Sequence, residues 1–125
     1  MKNHCIEHTE IAKLEQFATD HDMESMTSPK YRRDMAYFIA NNAHRGNCVC
    51  QVGCYKGGLS IILAYLCKLL GKKLVICEID RGYAEFVREK MILLGYEDIV
   101  QIHVAPFTMF VANGLFPERT LLRKR

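Results

Sequence analysis

Cys48-Val49-Cys50-Gln51-Val52-Gly53-Cys54-Tyr55-Lys56-Gly57-Gly58-Leu59-Ser60 is the stretch that decides the fold. Its short apolar run stops at Gly53, a glycine-bearing turn follows, and a long apolar segment opens at Leu59. A buried strand that feeds a loop and then a helix aims backbone N–H groups at a ligand. A second landmark completes the unit. Leu74-Val75-Ile76-Cys77 reads as the next buried strand and ends on Glu78-Ile79-Asp80. A carboxylate at a strand end about 20 residues past such a turn can accept hydrogen bonds from ribose hydroxyls. The spacing therefore presents two parts of one site for a nucleoside-bearing ligand.

Working outward, a helix is expected over 57–70. It is apolar nearly all round, with Ser60 and Lys68 as the clearest polar interruptions, so more than one layer must cover it. Asp80 is placed to cap a helix reaching Leu94, where Gly95 stops it, and a third strand is expected over 99–104. Strand, helix, strand, helix, strand with short connections demands a parallel sheet with right-handed crossovers. Upstream, Ser28-Pro29 starts a helix expected to run to about His44, with Gly46 as its stop. Residues 1–28 read as an arm with one short amphipathic helix, and residues 29–125 as the ligand-binding domain. Beyond Val104 the pattern fades. Only 109–112 suggests a short helix, and no fourth buried strand is expected.

Composition narrows the function classes. A chain of 125 residues makes one small domain. Its longest apolar run, Ile61 to Cys67, falls far short of the ~18 residues a membrane span needs. No basic-then-apolar leader follows Met1, and no pair among the six cysteines has C-x-x-C spacing. Reduced thiols in a cytoplasmic protein are expected, without a structural metal. The net charge of +3 is concentrated in Arg119, Arg123, Lys124 and Arg125, leaving the remainder slightly acidic. That run reads as a solvated, frayed terminus and not as a nucleic-acid interface. His4 and His8 share metal-ligand spacing but lack the companion residues of a metal motif.

The turn almost spells G-x-G-x-x-G, with Tyr55 in place of the middle glycine. That glycine lets a pyrophosphate approach the backbone, so tyrosine argues against a dinucleotide. A ligand whose amino-acid portion lies over the loop meets no such objection, and S-adenosylmethionine is one. A P-loop is excluded because no G-K-[ST] follows the first glycine. A dinucleotide-binding oxidoreductase half-domain remains the alternative enzyme reading, and a non-catalytic fragment or interaction module the alternative outside enzymes.

The motif from Gln51 to Gly57 resembles the acidic-x-G-x-Y-x-G turn of class I S-adenosylmethionine-dependent methyltransferases, in the form typical of the catechol and caffeoyl-CoA O-methyltransferase branch. Val75 to Asp80 is similar to that family's second motif, and Gly95 to Val100 to its connection into strand three. The resemblance implies an α/β, Rossmann-like parallel sheet: three strands with flanking helices, half of the class I fold. It implies that Gly53, Cys54, Tyr55 and Gly57 line the methionine part of S-adenosylmethionine. Ser60 joins them, one position past the serine that holds the carboxylate in that branch. Glu78 would hold the ribose hydroxyls and Ile79 would pack on adenine. Gln51 stands where the family usually has an acid, Ala105-Pro106 replaces a polar adenine contact, and Lys56 reads as solvated.

The family's metal ligands, catalytic base and most substrate contacts follow strand three, so no catalytic residue is assigned here. The expectation is a truncated methyltransferase chain that carries the cofactor-binding half and is itself inactive, from an enzyme acting on a small-molecule oxygen. With three strands, strand one is left with a bare apolar edge. Association through that edge, or through the helix 57–70, is expected.

Overall fold

The computed structural model describes residues 6–106 and the backbone of 120–124. Among these residues four helices, α1 (His8–Asp20), α2 (Pro29–Asn41), α3 (Gly58–Leu70) and α4 (Arg81–Leu93), accompany four strands. These are β1 (Cys48–Val52), β2 (Lys73–Glu78), β3 (Val100–Val104) and β4 (Thr120–Lys124). The three strands and their helices lie within a residue or two of expectation. The exception is α2, which ends at Asn41 and passes into a 3-10 turn, Ala43–Arg45. The buried Lys72 holds that turn by donating to the carbonyls of Ala43 and Gly46.

Local chemistry sets the helix ends. The Ser28 hydroxyl accepts from the Tyr31 N–H at 3.1 Å, with Pro29 in the first turn where no N–H is needed. The Asp80 carboxylate accepts from the Tyr83 N–H at 2.9 Å and starts α4. Gly71 closes α3 in the left-handed conformation that spares glycine any Cβ clash.

All strand pairs are parallel, in the order β3-β2-β1-β4. The pairing of β4 corrects the sequence reading on two points. Residues 120–124 are a strand in register with β1, Cys50 opposite Leu122, and not a frayed basic end. The first strand's edge, expected to be bare, is therefore occupied along its whole length. Thr-Leu-Leu-Arg-Lys has no apolar alternation to announce a strand. Its strand state follows from β1, whose backbone N–H and C=O groups need partners on that side. The helix suggested at 109–112 lies outside the described residues.

The core forms on one face of the sheet. Val49 of β1 and Leu74 and Ile76 of β2 meet α3, whose Ile61, Ile62, Leu63 and Leu66 are fully buried. Ile11, Leu14 and Ala18 of α1, with Ala36 and Ile39 of α2, belong to the same cluster. The second covering layer that α3 requires thus comes from the chain's own α1 and α2. Arg32 ties the two helices. Its Nε and Nη2 donate to the Glu15 carboxylate at 3.0 and 2.8 Å, and Nη1 reaches Thr27. The opposite sheet face carries Cys48, Cys50, Val75 and Cys77, all buried, with Val52. Among the described residues no helix is long and apolar enough to cross a membrane.

Candidate functional site

The strand order reverses between β1 and β4, while β2 and β3 lie on the other side of β1. In open parallel sheets the crevice beyond the strand ends at such a reversal is where ligands bind. The turn 53–58 leaves β1 there, and the Gly53 N–H donates to the Cys77 carbonyl at 2.8 Å, pinning the turn to β2. Three of its residues are left-handed: Gly53 (φ 82°), Tyr55 (φ 49°) and Gly57 (φ 86°). For tyrosine this costs about 1–2 kcal/mol, so something must hold it.

Glu78 does so. Its Oε1 accepts from the N–H of Cys54 at 2.7 Å and of Tyr55 at 3.2 Å, and its Oε2 from the Asp80 N–H at 3.0 Å. Burial alone would raise the pKa of this carboxyl. The N–H groups of Asp80, Cys54 and Tyr55 together outweigh burial and hold it below its ordinary 4.5. The carboxylate that spacing marks for a ligand is therefore first an anchor of the loop it faces. Of about four acceptor positions on a carboxylate, three are taken and one on Oε2 remains.

Gly53, Cys54, Tyr55, Gly57 and Glu78 are thus brought together. The Cys54 thiol is buried, so this residue presents backbone to the site, and the Tyr55 ring rests edge-on against Tyr83 with centroids 5.0 Å apart. Ile79 follows Glu78 at the rim and is 72 % exposed, an apolar side chain left in water. Ser60 does not join them. It is fully buried and donates to Gln51 Oε1 at 2.7 Å, tying α3 to β1 beneath the turn. One residue along a helix turns the side chain by about 100°, which takes Ser60 to the sheet side of α3. Gln51 is equally buried, and its Nε2 has no hydrogen-bond partner among the described residues.

Sequence reasoning missed the segment between α1 and α2. A Cβ on Gly57 would lie 2.9 Å from Met23 Cε and from Val87 Cγ2, and one on Gly58 would lie 2.6 Å from Ser25 Cβ. The Gly58 N–H donates to the Glu24 carbonyl at 3.3 Å. Lys56, read as solvated, pairs with Asp22 at 3.5 Å and Glu24 at 3.6 Å. No periodicity connects residues more than 30 positions apart. The adjacent glycines 57 and 58 were the available signal, because two small residues at a helix start allow another backbone to approach closely. Among the described residues no group of three or more His, Cys, Asp or Glu is placed to hold a metal ion. His8 shares a hydrogen bond with the Tyr37 hydroxyl, and His4 lies outside the described residues.

No family model matches the chain, and no curated protein matches it in sequence. Solved structures do. An SAH-bound methyltransferase from Podospora anserina superposes with a TM-score of 0.69 at 17% identity, covering 98% of this chain and 52% of its own. An O-methyltransferase from Bacillus cereus in complex with SAH gives 0.67 at 12% identity, covering 95% and 56%. The O-methyltransferase TomG from Streptomyces achromogenes, in complex with SAM, gives 0.60 at 19% identity, covering 94% and 54%. The chain spans about half the length of these proteins, and over that span it has the Rossmann-like fold of O-methyltransferase structures.

Proposed function

We propose that the chain binds S-adenosylmethionine in the crevice at the ends of β1 and β2, as the cofactor-binding half of an O-methyltransferase of the catechol and caffeoyl-CoA type. The observation that carries this reading is the Glu78 carboxylate. It braces the left-handed turn with Oε1 and keeps one acceptor position on Oε2, beside the exposed Ile79. That pairing of one acceptor with one apolar side chain suits a ribose next to a base. The turn backbone at Gly53, Cys54, Tyr55 and Gly57 would lie along the methionine portion. The fold shared with structures that hold SAM or SAH supports the same ligand. Tyr55 in place of the middle glycine disfavours a dinucleotide pyrophosphate.

The ligand would supply an electrophilic methyl group on a sulfonium. The chain's own contribution is to fix position and exclude conformers, the part of such a reaction that orientation accelerates. We propose a small-molecule oxygen as acceptor and the cytoplasm as location. The five described cysteines, all buried thiols, support a reducing setting. Isothermal titration with S-adenosylmethionine and S-adenosylhomocysteine tests the reading, with NADH as control. Saturable binding of the first two and none of NADH is expected. Heat from NADH alone would replace it with the dinucleotide alternative.

A further inference from the structure

Two non-glycine residues among those described have a left-handed backbone, Asp22 (φ 58°) and Tyr55 (φ 49°). They lie on the two segments that face each other across Lys56. Asp22 ends α1, its left-handed turn bringing its own N–H to the Thr19 carbonyl and the Met23 N–H to the Ala18 carbonyl, while Tyr55 is held by Glu78. Residues 22–25 cross the start of α3 with no room to spare. Met23 Cε and Ser25 Cβ occupy the space that side chains at positions 57 and 58 would need, and the Glu24 carbonyl takes the Gly58 N–H.

The crossing segment is anchored at both ends. The Met23 N–H donates to the Ala18 carbonyl at 2.8 Å, and the Met23 side chain is buried in the core. At the other end Thr27 is held by Arg32, and its hydroxyl lies 2.5 Å from that of Ser25. Beside the buried Met23, the hold on the turn from the acids that flank it is polar and largely wet. Asp22 and Glu24 are 75% and 61% exposed, and among the described residues each pairs with Lys56. Behind the segment lies a cavity of about 340 Å³ lined by Glu15, Asp22, Glu24, Ser25, Thr27 and Gly58, which gives it space to move.

We propose that residues 22–25 form a strap over the glycine turn, and that Lys56 is the latch whose two ion pairs set how often the strap lifts. On the cofactor reading above, on which its use depends, lifting frees the Gly58 N–H and the backbone of the turn for the ligand's amino-acid portion. Lys56 then acts on the rate of ligand exchange as a positioning residue, without touching the reacting atoms.

Amide hydrogen exchange on the ligand-free full chain tests the latch directly, because the Gly58 N–H is protected by the strap. Lys56→Met keeps the side-chain stem and removes the charge. It should speed Gly58 exchange about 2- to 10-fold, the range two exposed ion pairs support, while Lys56→Arg stays near wild type. Raising salt from about 0.05 to 0.5 M should bring wild type towards Lys56→Met and leave Lys56→Met unchanged, which a purely packing role would not do. Asp22→Asn with Glu24→Gln should reproduce the effect from the strap side if Lys56→Met folds poorly. Stopped-flow binding of S-adenosylmethionine to Lys56→Met should show association and dissociation accelerated together. Gly58 exchange indifferent to Lys56 and to salt would overturn the strap. Absence of S-adenosylmethionine binding in every variant would instead overturn the cofactor reading, and the exchange data would decide the strap independently.

Discussion

Glu78→Gln separates an anchor from a ligand contact, because it can be read with no ligand present. In the wild type one carboxylate accepts three backbone N–H bonds, from Cys54, Tyr55 and Asp80. The amide keeps its Oε1 acceptor for the two loop N–H groups but turns an NH2 towards the Asp80 N–H, donor against donor. Losing one charge-assisted bond costs about 1.5–3 kcal/mol, and making two others neutral roughly halves each. A neutral amide is easier to bury at a site only 6% exposed, which offsets part of that loss. A net destabilisation of about 2–3 kcal/mol is expected, or roughly 10 °C in Tm for a chain of this length.

The pH dependence has a definite sign. The folded pKa of Glu78 is lowered, so its contribution is complete above the ordinary carboxylate value of 4.5 and is lost as pH falls through the lower folded value. Thermal melts of ligand-free protein at pH 7, and urea titrations stepped down to about pH 3, should show the gap between wild type and Glu78→Gln at neutral pH. The gap should close only at the acid end. Equal stability of the two proteins at pH 7 would refute the anchor. The carboxylate would then be free for ribose alone, as spacing by itself suggests.

Other substitutions probe the same region. Ser60→Ala should cost about 1–2 kcal/mol in urea unfolding by stranding both polar atoms of the buried Gln51, without weakening S-adenosylmethionine binding, and Gln51→Leu added to it should recover most of that loss. Gly58→Ala puts a methyl 2.6 Å from Ser25 Cβ and 2.9 Å from the Met23 carbonyl, so about 1–3 kcal/mol of destabilisation is expected, with faster proteolysis within 21–28. Burial raises the thiol pKa of Cys50 and Cys77 and pushes Cys67 up to about 12. Iodoacetamide at pH 8 should therefore leave these three unmodified in the native protein and label them after unfolding, as followed by mass spectrometry.

The strand-turn-helix at 48–70, the second strand with its terminal Glu78 and the caps at Ser28 and Asp80 were legible in the sequence. Each rests on neighbours within a few residues: apolar runs, a glycine where the backbone turns left-handed, a hydroxyl or carboxylate placed to take a helix N–H. The parallel order β1, β2, β3 followed from the short connections. Tertiary structure decided the rest. β4 carries no pattern of its own and exists because β1 has an unpaired edge. Ser60 sits close in sequence to the turn, yet the helix rotates it towards the sheet, where Gln51 takes its hydroxyl. Lys56 looks like a solvated charge until α1 brings Asp22 and Glu24 over it. Glu78 was recognisable as a functional carboxylate by position, but its three N–H partners come from a loop 24 residues back and from the start of α4. Local propensity and spacing act along the chain, whereas the partner of a buried or clamped polar group is set by which segments pack together, and only the fold determines that.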